Sequence, residues 1–253
     1  MNGHETTPDV AKPTPDVAKL REVAESDGWY HSIELADGVV TKGMFDHRPY
    51  VDRYGLPDSL EGKRVLDVGT FEGFWAYELE RRGGDVTAVD VPRIQQLDWP
   101  PRDRPAEDGP RGDRFRLAAD ARGSDVEWVG RSIYEALPEN MGGTFDLVFC
   151  GSILIHLRDP ALALERMAGL CSGRLVLCEE YSKLLERIPR VRLAEFKSGT
   201  HQTWWRPTTR TWIAMIHLAG FEEVRHHGRF NMRFRGEGRR GVPHTVIHAR
   251  GTA

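Results

Sequence analysis

The chain has 253 residues, of which 40% are hydrophobic, and this is enough to bury one substantial core. Its 35 basic and 38 acidic residues leave a formal charge of -3, which argues against strong nonspecific attraction to nucleic acid. No apolar stretch is long enough to cross a membrane, and the first residues contain no apolar signal segment, so we expect a cytoplasmic protein.

The N-terminal region divides into two parts. Residues 1–15 carry a short duplication and are predicted to be a flexible tail. Residues 16–60 begin with an amphipathic helix and continue into a segment, residues 29–48, that is too irregular for a long helix. We predict that this segment is a lid over a ligand. The alternative is a surface strap that only covers apolar area.

A strand, a glycine-bearing turn and a second strand follow. Residues 65–68 form an apolar strand typical of a parallel sheet. Gly69 permits a sharp turn and the approach of a ligand to the backbone, and Gly73 permits the next helix to pack close to the strand it leaves. Asp90 ends the second strand about twenty residues later, where an acid can accept hydrogen bonds from ribose hydroxyls.

Two residues of this turn favour one class of nucleotide ligand over another. A dinucleotide site carries G-x-G-x-x-G, because the middle glycine lets a pyrophosphate settle on the helix N-terminus. Here that position is Phe71, whose bulk argues against pyrophosphate. Asp67 would repel phosphate but would suit the ammonium group of an amino-acid-bearing nucleoside. The alternative is an ordinary turn whose glycines only shape the backbone.

The rest of the chain alternates helices and strands, a pattern typical of an open α/β sheet. A proline-rich loop at 97–112 precedes them. Asp159 is predicted to cap a helix with Pro160 at its first position. A basic run from Arg225 to Arg240 is expected to be a solvated edge or hairpin, or alternatively an RNA or acidic-substrate patch. The predicted helices are 74–79, 115–120, 160–167 and 209–218, and the later strands are 126–134, 144–151, 174–179, 221–224 and 244–249.

These residues resemble a known family. The D-x-G-x-x-x-G turn and its strand-terminal acid resemble motif I and the ribose acid of class I S-adenosylmethionine (SAM) methyltransferases. The segments at 29–35 (WYHSIEL), 153–160 (ILIHLRDP) and 203–207 (TWWRP) resemble the branch related to tRNA wobble-uridine carboxymethyltransferases and its small-molecule relatives. The resemblance covers roughly residue 28 to the C-terminus. It implies a Rossmann-like α/β fold with a seven-stranded sheet, helices on both faces and an N-terminal lid, with 61–253 as the SAM-binding domain.

The resemblance also implies the cofactor, which is SAM with S-adenosylhomocysteine (SAH) as its product. It assigns the two glycines of the turn to the methionine part, Asp90 to the ribose, and Ser132 with Ile133 to adenine. Ser132 stands where an acid is often found, so its hydroxyl or the backbone would contact the adenine amino group. The implied cofactor-binding residues are Asp67, Gly69, Thr70, Phe71, Gly73, Asp90, Val91, Ser132, Ile133, Gly151 and Ser152.

Four residues are candidates for removing the acceptor's proton, since the sulfonium already activates the methyl group. His156 is a candidate because the ordinary pKa of histidine suits proton transfer at neutral pH. This residue could instead bond a backbone carbonyl and hold its loop. His31 lies on the predicted lid between aromatic residues. Glu179 and Tyr181 end the fifth strand and face the cleft if side chains alternate.

The sequence narrows the choice of acceptor mainly by excluding classes of substrate. Tyr30, Trp204 and Trp205 are predicted to contact it, with a core role as the alternative for the tryptophans. No Asn/Asp-Pro-Pro-Tyr/Phe motif follows the fourth strand, which argues against methylation of nucleobase amino groups. No acid cluster predicts a metal site. The leading function is methylation of a small molecule such as an aromatic or hydroxylated secondary metabolite, and the alternatives are a tRNA wobble-uridine-type alkyl transferase and a noncatalytic SAM-binding protein.

Overall fold

The structure is a computed structural model that describes residues 16–197, 202–236 and 241–253. The predicted tail at 1–15 lies outside the described residues, as do Arg239 and Arg240 of the basic run. In the described part of the chain, no helix is long and apolar enough to cross a membrane. The N-terminal elements are α1 (Val17–Glu25), β1 (Glu34–Ala36) and β2 (Val39–Val40).

The irregular segment at 29–48 is attached to the C-terminal part of the chain. Phe45 forms one isolated bridge with His31 and another with Phe234, and the rings of Phe45 and Phe234 lie 4.8 Å apart. The backbone N–H of Arg235 donates to the carbonyl of Met44 at 3.0 Å. Two stretches about 190 residues apart in sequence therefore close over the same end of the fold.

Apolar strands build a seven-stranded sheet, which confirms the predicted fold class. Its members are β3 (Arg64–Val68), β4 (Asp85–Asp90), β5 (Glu127–Gly130), β6 (Phe145–Gly151), β7 (Cys171–Glu180), β10 (Glu222–Arg233) and β11 (Gly241–Arg250), while β8 (Ala194–Phe196) and β9 (Trp205–Pro207) pair separately. The order across the sheet is β10-β11-β7-β6-β3-β4-β5. Strands β3 to β7 are parallel, and β11 is antiparallel to both of its neighbours. The ends of the parallel strands therefore share one edge, where ligands bind in such sheets.

Helices cover both faces of the sheet. They are α2 (Phe74–Arg81), α3 (Asp113–Arg122), α4 (Pro160–Leu170) and α5 (Thr209–Leu218). Side chains alternate along β3, so that Val65 packs with the α2 and α3 side and Leu66 with the α4 and α5 side. Helix α4 begins as predicted, because the Asp159 carboxylate accepts a hydrogen bond from the Leu162 N–H.

Strand β10 is much longer than the predicted strand at 221–224. Its later residues are mostly polar and carry no apolar run, because β10 is the edge strand and much of its surface meets solvent. The described part of the basic run lies mainly on this edge. Arg225 is paired with Glu223 and Arg229 with Glu186, so two of these arginines are already neutralised by neighbouring acids.

Candidate active site

A cleft opens at the ends of the parallel strands, and several predicted residues meet there. Gly69, Asp90, Val91, Ser132, Ile133 and His156 all line it. The cleft also contains residues that the sequence did not single out: Val68, Val89, Gln96, Leu97, Asp98, Arg131, Tyr134, Ile153, Leu157 and Gln202. Most of the wall area is apolar, and polar side chains such as Asp90, Ser132 and His156 are among the lining residues. This combination suits a flat ring with a polar substituent.

The Asp90 carboxylate is fixed from three directions. Its Oδ2 accepts the Phe71 N–H at 3.0 Å and Arg111 Nη2 at 3.1 Å, and its Oδ1 accepts the Val91 N–H at 2.7 Å. The Arg111 guanidinium also lies 5.1 Å from the centroid of the Phe71 ring. Arg111 was missed by sequence reasoning, since it arrives from the far end of the loop at 97–112. The oriented carboxylate keeps lone pairs for further donors, as a ribose contact requires.

The two glycines of the turn have different roles. At Gly69, with φ of 73°, an added Cβ would lie 2.7 Å from Cγ1 of Ile153, so the turn is packed against the segment after β6. At Gly73, with φ of 93°, it would lie 2.6 Å from Tyr77 and 2.7 Å from Phe115. These nearest atoms belong to α2 and α3, so the approach of the helix to its own strand stays a prediction. Its missing side chain makes room for the contact between α2 and α3.

Polar atoms without good hydrogen bonds gather beneath the turn. Asp67 Oδ2 and Thr70 Oγ1 are buried and make no hydrogen bond of good geometry among the described residues, although a contact between the two side chains partly offsets the effect of burial on the Asp67 pKa. Burial raises the pKa of the Asp67 carboxyl to about 7. Buried polar atoms are rarely left unpaired in a native protein. Their concentration here indicates a place where a ligand supplies the missing partner.

Two predicted base candidates do not face the cleft. The Glu179 side chain is fully buried, and its Oε1 accepts the N–H groups of Ile153 at 3.0 Å and Leu154 at 2.8 Å. It therefore holds the turn after β6, and burial raises its pKa to about 8. The Arg229 guanidinium lies over the Tyr181 ring, 4.8 Å from the ring centroid. Because alternate side chains point in opposite directions, the strand-end acid nearest the lid is the intervening Glu180.

The segment at 29–48 is held over the turn by one carboxylate that the sequence did not single out. Glu72 accepts the Tyr30 N–H at 3.0 Å through Oε2 and the His31 N–H at 2.9 Å, and Arg114 lies 3.3 Å from its Oε1. The Tyr30 ring meets Phe71 edge-on at a centroid distance of 5.6 Å. An acid inside the glycine turn was the only sequence signal for this contact.

Tyr30 and His31 are both uncharged at neutral pH. Burial, together with the charges of Glu180, Glu72 and Glu179, raises the pKa of Tyr30 to about 12. Burial alone lowers the pKa of His31 to about 3, and its Nδ1 has no hydrogen-bond partner in the described chain. A neutral imidazole with a free ring nitrogen can donate to or accept from a ligand but cannot serve as a cation.

The other predicted residues mostly hold loops. His156 Nδ1 lies 3.0 Å from the carbonyl of Gln202, so the structural alternative for this histidine is observed. Trp204 Nε1 donates to the Asp98 carbonyl at 2.7 Å, and Trp205 Nε1 donates to the Arg158 carbonyl at 3.1 Å. Neither indole lines the cleft, so the predicted substrate wall is not observed in the described chain. Both rings instead fasten the loop at 97–112 and the segment after β6 to the β8–β9 pair.

The turn after β6 completes the site. Gly151 leaves room for the Phe149 ring, since an added Cβ would lie 3.0 Å from it. Ser152 has a φ of 55°, which is unusual for a residue other than glycine, and its hydroxyl lies 2.9 Å from Nε2 of His244. Ser132 caps the short turn at the end of β5 by accepting the Tyr134 N–H at 3.3 Å. In the described residues, no group of three or more His, Cys, Asp and Glu side chains is placed to hold a metal ion.

Comparisons with known proteins agree with this geometry. Residues 46–226 match the family model described as a methyltransferase domain. Ubiquinone biosynthesis O-methyltransferase of Paracidovorax citrulli is 31% identical over 115 residues, which are 44% of this chain and 40% of that protein. Magnesium-protoporphyrin O-methyltransferase of Rhodobacter capsulatus is 37% identical over 106 residues, which are 42% of this chain and 38% of that protein. The chain thus spans about two fifths of the length of these relatives.

Solved structures show the same fold at low sequence identity. The N-terminal domain of EvdMO1, solved in the presence of SAH and D-fucose, gives a TM-score of 0.65 at 17% identity and covers 94% of this chain and 98% of that one. Magnesium protoporphyrin IX methyltransferase from Synechocystis PCC 6803, with bound SAM, gives 0.51 at 16% identity over 76% and 71% of the two chains. With its seven-stranded sheet and a family match over residues 46–226, the chain belongs to the class I SAM-dependent methyltransferase family.

Proposed function

We propose that this protein transfers a methyl group from SAM to a small-molecule acceptor, an aromatic or hydroxylated secondary metabolite. One observation supports the cofactor more than any other. At the end of β3 and in the turn that follows, buried oxygen atoms of Asp67 and Thr70 lack hydrogen bonds of good geometry, and the charge of Asp90 acts on the Asp67 carboxyl. When bound, SAM supplies a methyl group already activated by the positive sulfonium.

Different residues would contact the ammonium, the ribose and the adenine of the cofactor. Asp67 and Thr70 would accept the ammonium of the methionine part, and burial would make such contacts strong. Asp90, held by Arg111, would accept the ribose hydroxyls. The apolar cleft around Ile133 would take the adenine ring. Gly69, Phe71, Val91, Ser132, Gly151 and Ser152 would complete the contacts, whereas Gly73 would act through helix packing.

The acceptor side would be formed by the lid. Residues 16–60 would act as the N-terminal helix and lid of a SAM-binding domain at 61–253. Tyr30, Phe45 and Phe71 form a cluster of rings with centroid distances of 5.0 and 5.6 Å from Tyr30. The neutral His31 imidazole adds a polar contact and supplies no positive charge that would bind an anion. An uncharged planar acceptor fits these surroundings better than a carboxylate or phosphate.

The tRNA alternative has weaker support. Binding of a nucleic acid needs cations that are free to displace counterions from phosphates. On the basic edge strand, Arg225 and Arg229 are paired with Glu223 and Glu186, and Arg250 of the adjacent strand is paired with both Glu222 and Glu223. A noncatalytic SAM-binding role makes no use of the lid residues beside the cofactor turn.

Mass spectrometry tests the proposal directly. The protein is incubated with an extract of its source organism and SAM that carries a deuterated methyl group, and the extract is searched for labelled small molecules and labelled tRNA nucleosides. We expect one labelled small molecule and, by calorimetry, binding of both SAM and SAH. Label in tRNA would support the alternative, binding without label would support the noncatalytic role, and no binding would contradict the cofactor.

A further inference from the structure

The pair formed by Ser152 and His244 is not explained by cofactor binding. Ser152 lies at the end of β6 and His244 on β11, 92 positions apart in sequence. The two parts of the chain meet at the ligand-binding edge, because His244 is the register partner of Glu180 at the end of β7. Ser152 Oγ lies 2.9 Å from His244 Nε2, within hydrogen-bond distance.

The second ring nitrogen of His244 fixes which atom carries the proton. Nδ1 lies 3.0 Å from the Val242 carbonyl oxygen, which can only accept a hydrogen bond. Nδ1 must therefore donate, and in the neutral ring Nε2 then has a free lone pair directed at the serine hydroxyl. Burial lowers the pKa of His244 to about 4, so the ring is neutral near pH 7. Its plane stacks on Phe230 at a centroid distance of 5.5 Å, which holds the orientation.

Ser152 is placed next to the cofactor turn. The following residue, Ile153, occupies the space where a Cβ on Gly69 would lie, so the two turns are in contact. The Ser152 side chain is only partly buried, and its oxygen keeps a lone pair after donating to His244. The left-handed backbone at Ser152 is costly for a residue with a side chain. A strained serine, a histidine base and a backbone carbonyl that orients the base together resemble the arrangement of activated hydroxyl groups in enzymes.

We propose that Ser152 contacts the acceptor's hydroxyl and, with His244 as its positioning residue, takes the acceptor's proton. This inference rests on the proposed function. The hydroxyl proton moves to Ser152 Oγ while the serine's own proton moves to His244 Nε2. The oxygen's electron pair forms the bond to the methyl carbon, and the pair of the broken carbon–sulfur bond stays on sulfur, which becomes the neutral thioether of SAH.

The low basicity of His244 in the free protein is compatible with this role. Burial penalises an imidazolium because it adds a charge to a poorly solvated site. During transfer one positive charge disappears from the sulfonium as another forms on His244, so the total charge in the site does not change. The charged and titratable groups around His244 are Glu180, opposite it on β7 and paired with Arg206, and His47 from the N-terminal segment. Because Arg206 pairs with Glu180, little net charge from this pair acts on the imidazole.

Three variants separate this role from a structural one. Ser152→Ala and His244→Gln remove the relay. His248→Gln is the matched control, because His248 is also a histidine of β11 with few exposed atoms and a pKa lowered to about 4, but it bonds the Tyr54 carbonyl at 2.8 Å and Arg174. Calorimetry with SAH should give similar affinities for His244→Gln, His248→Gln and the unmodified protein.

The first measurement is the rate of methyl transfer against pH. The acceptors are catechol and the source-organism extract, each with deuterated SAM, from about pH 6 to about pH 9. At neutral pH we expect Ser152→Ala and His244→Gln to be slower by about 100-fold or more. Their rates should then rise by about tenfold per pH unit, because an ionised hydroxyl needs no base. His248→Gln should follow the pH dependence of the unmodified protein.

The second measurement does not depend on turnover. Nitrogen NMR of the histidine rings, in the free protein, should show His244 protonated on Nδ1 and unprotonated on Nε2, with a change in the Nε2 signal on Ser152→Ala. Proton occupancy on Nε2, or a loss of rate that is the same at every pH, would overturn the relay. If the unmodified protein neither binds SAM nor labels any acceptor, the proposed function itself fails. If it labels an acceptor and the variants keep its rate, only this inference fails.

Discussion

Removal of the Glu72 carboxylate should release the lid while the rest of the domain stays folded. In the structure this one group accepts the backbone N–H groups of Tyr30 and His31 and also contacts Arg114. Glu72→Gln keeps the size and shape of the side chain. The amide oxygen in place of Oε2 can still accept both buried N–H groups, but as a neutral acceptor, and the NH2 group in place of Oε1 can no longer accept from Tyr30 or Arg114.

The size of the effect follows from these contacts. A hydrogen bond to a charged group contributes about 1.5–3 kcal/mol, and a neutral one about 1 kcal/mol. Arg114 is 40% exposed on its side chain, so its contribution is small after screening by solvent. Weakening of both charged bonds to neutral ones should lower the free energy of opening the lid by about 1–3 kcal/mol. The open population should therefore rise by about 5-fold to 150-fold.

Hydrogen exchange measures this population directly. The amides of residues 29–43 should exchange faster in Glu72→Gln by that factor, while amides of β6 and β7 keep their protection. Addition of SAH should slow exchange in the unmodified protein, because a ligand that binds the closed form stabilises it. Glu78→Gln is the control, since this α2 carboxylate pairs with Arg81 and Arg82. Equal lid protection in the two variants would refute the assignment of Glu72 as the anchor.

Three further predictions follow from the cleft. Asp90→Ala should weaken SAM binding by about 1–3 kcal/mol in calorimetry, because it removes charge-assisted bonds to buried hydroxyls, and an unchanged Kd would contradict the ribose role. Gly69→Ala should lower the free energy of unfolding by about 1–3 kcal/mol, since its Cβ would lie 2.7 Å from Ile153 at a φ of 73°. Gly69→Ala should also weaken SAH binding, because the turn carries the cofactor site. Adding Ile153→Ala should restore part of that affinity. Glu179 has a pKa of 4.5 when unfolded and about 8 when folded, so the folded protein holds the proton between these values and loses stability as pH rises through them. Glu179→Gln should remove about 3–5 kcal/mol of that loss when the free energy of unfolding is measured in urea at several pH values. If the free energy of unfolding changes with pH in the same way for both proteins, this prediction is wrong.

Local signals were sufficient for most of the fold. Helix α5 has the predicted bounds because Thr208 caps its start and the apolar period ends before Gly220. Asp90 was recognisable because its distance from the turn is set by one helix and one strand. The polar edge strand β10 was underestimated, since hydrophobic alternation detects only strands with a buried face.

The site was predicted less completely because its contacts are long-range. Glu72 and Tyr30 are 42 positions apart, and Arg111 and Asp90 are 21 apart. Neither pair belongs to a periodic pattern, so only the folded chain brings them together. Glu179 was placed in the cleft because, of the two alternating faces of β7, the one that carries Glu179 and Tyr181 was assumed to point there. A shift of one residue reverses the face to which every side chain of a strand points.

The contact between Phe45 and Phe234 has a consequence for synthesis of the chain. The glycine turn and Asp90 leave the ribosome early, but the lid above them is attached to residues made about 190 positions after it. A growing chain can therefore form the floor of the pocket well before the pocket can close. Tight retention of the cofactor would then require synthesis to have passed Phe234. Any early stop before Phe234 should yield a protein that folds in part but cannot hold its ligand.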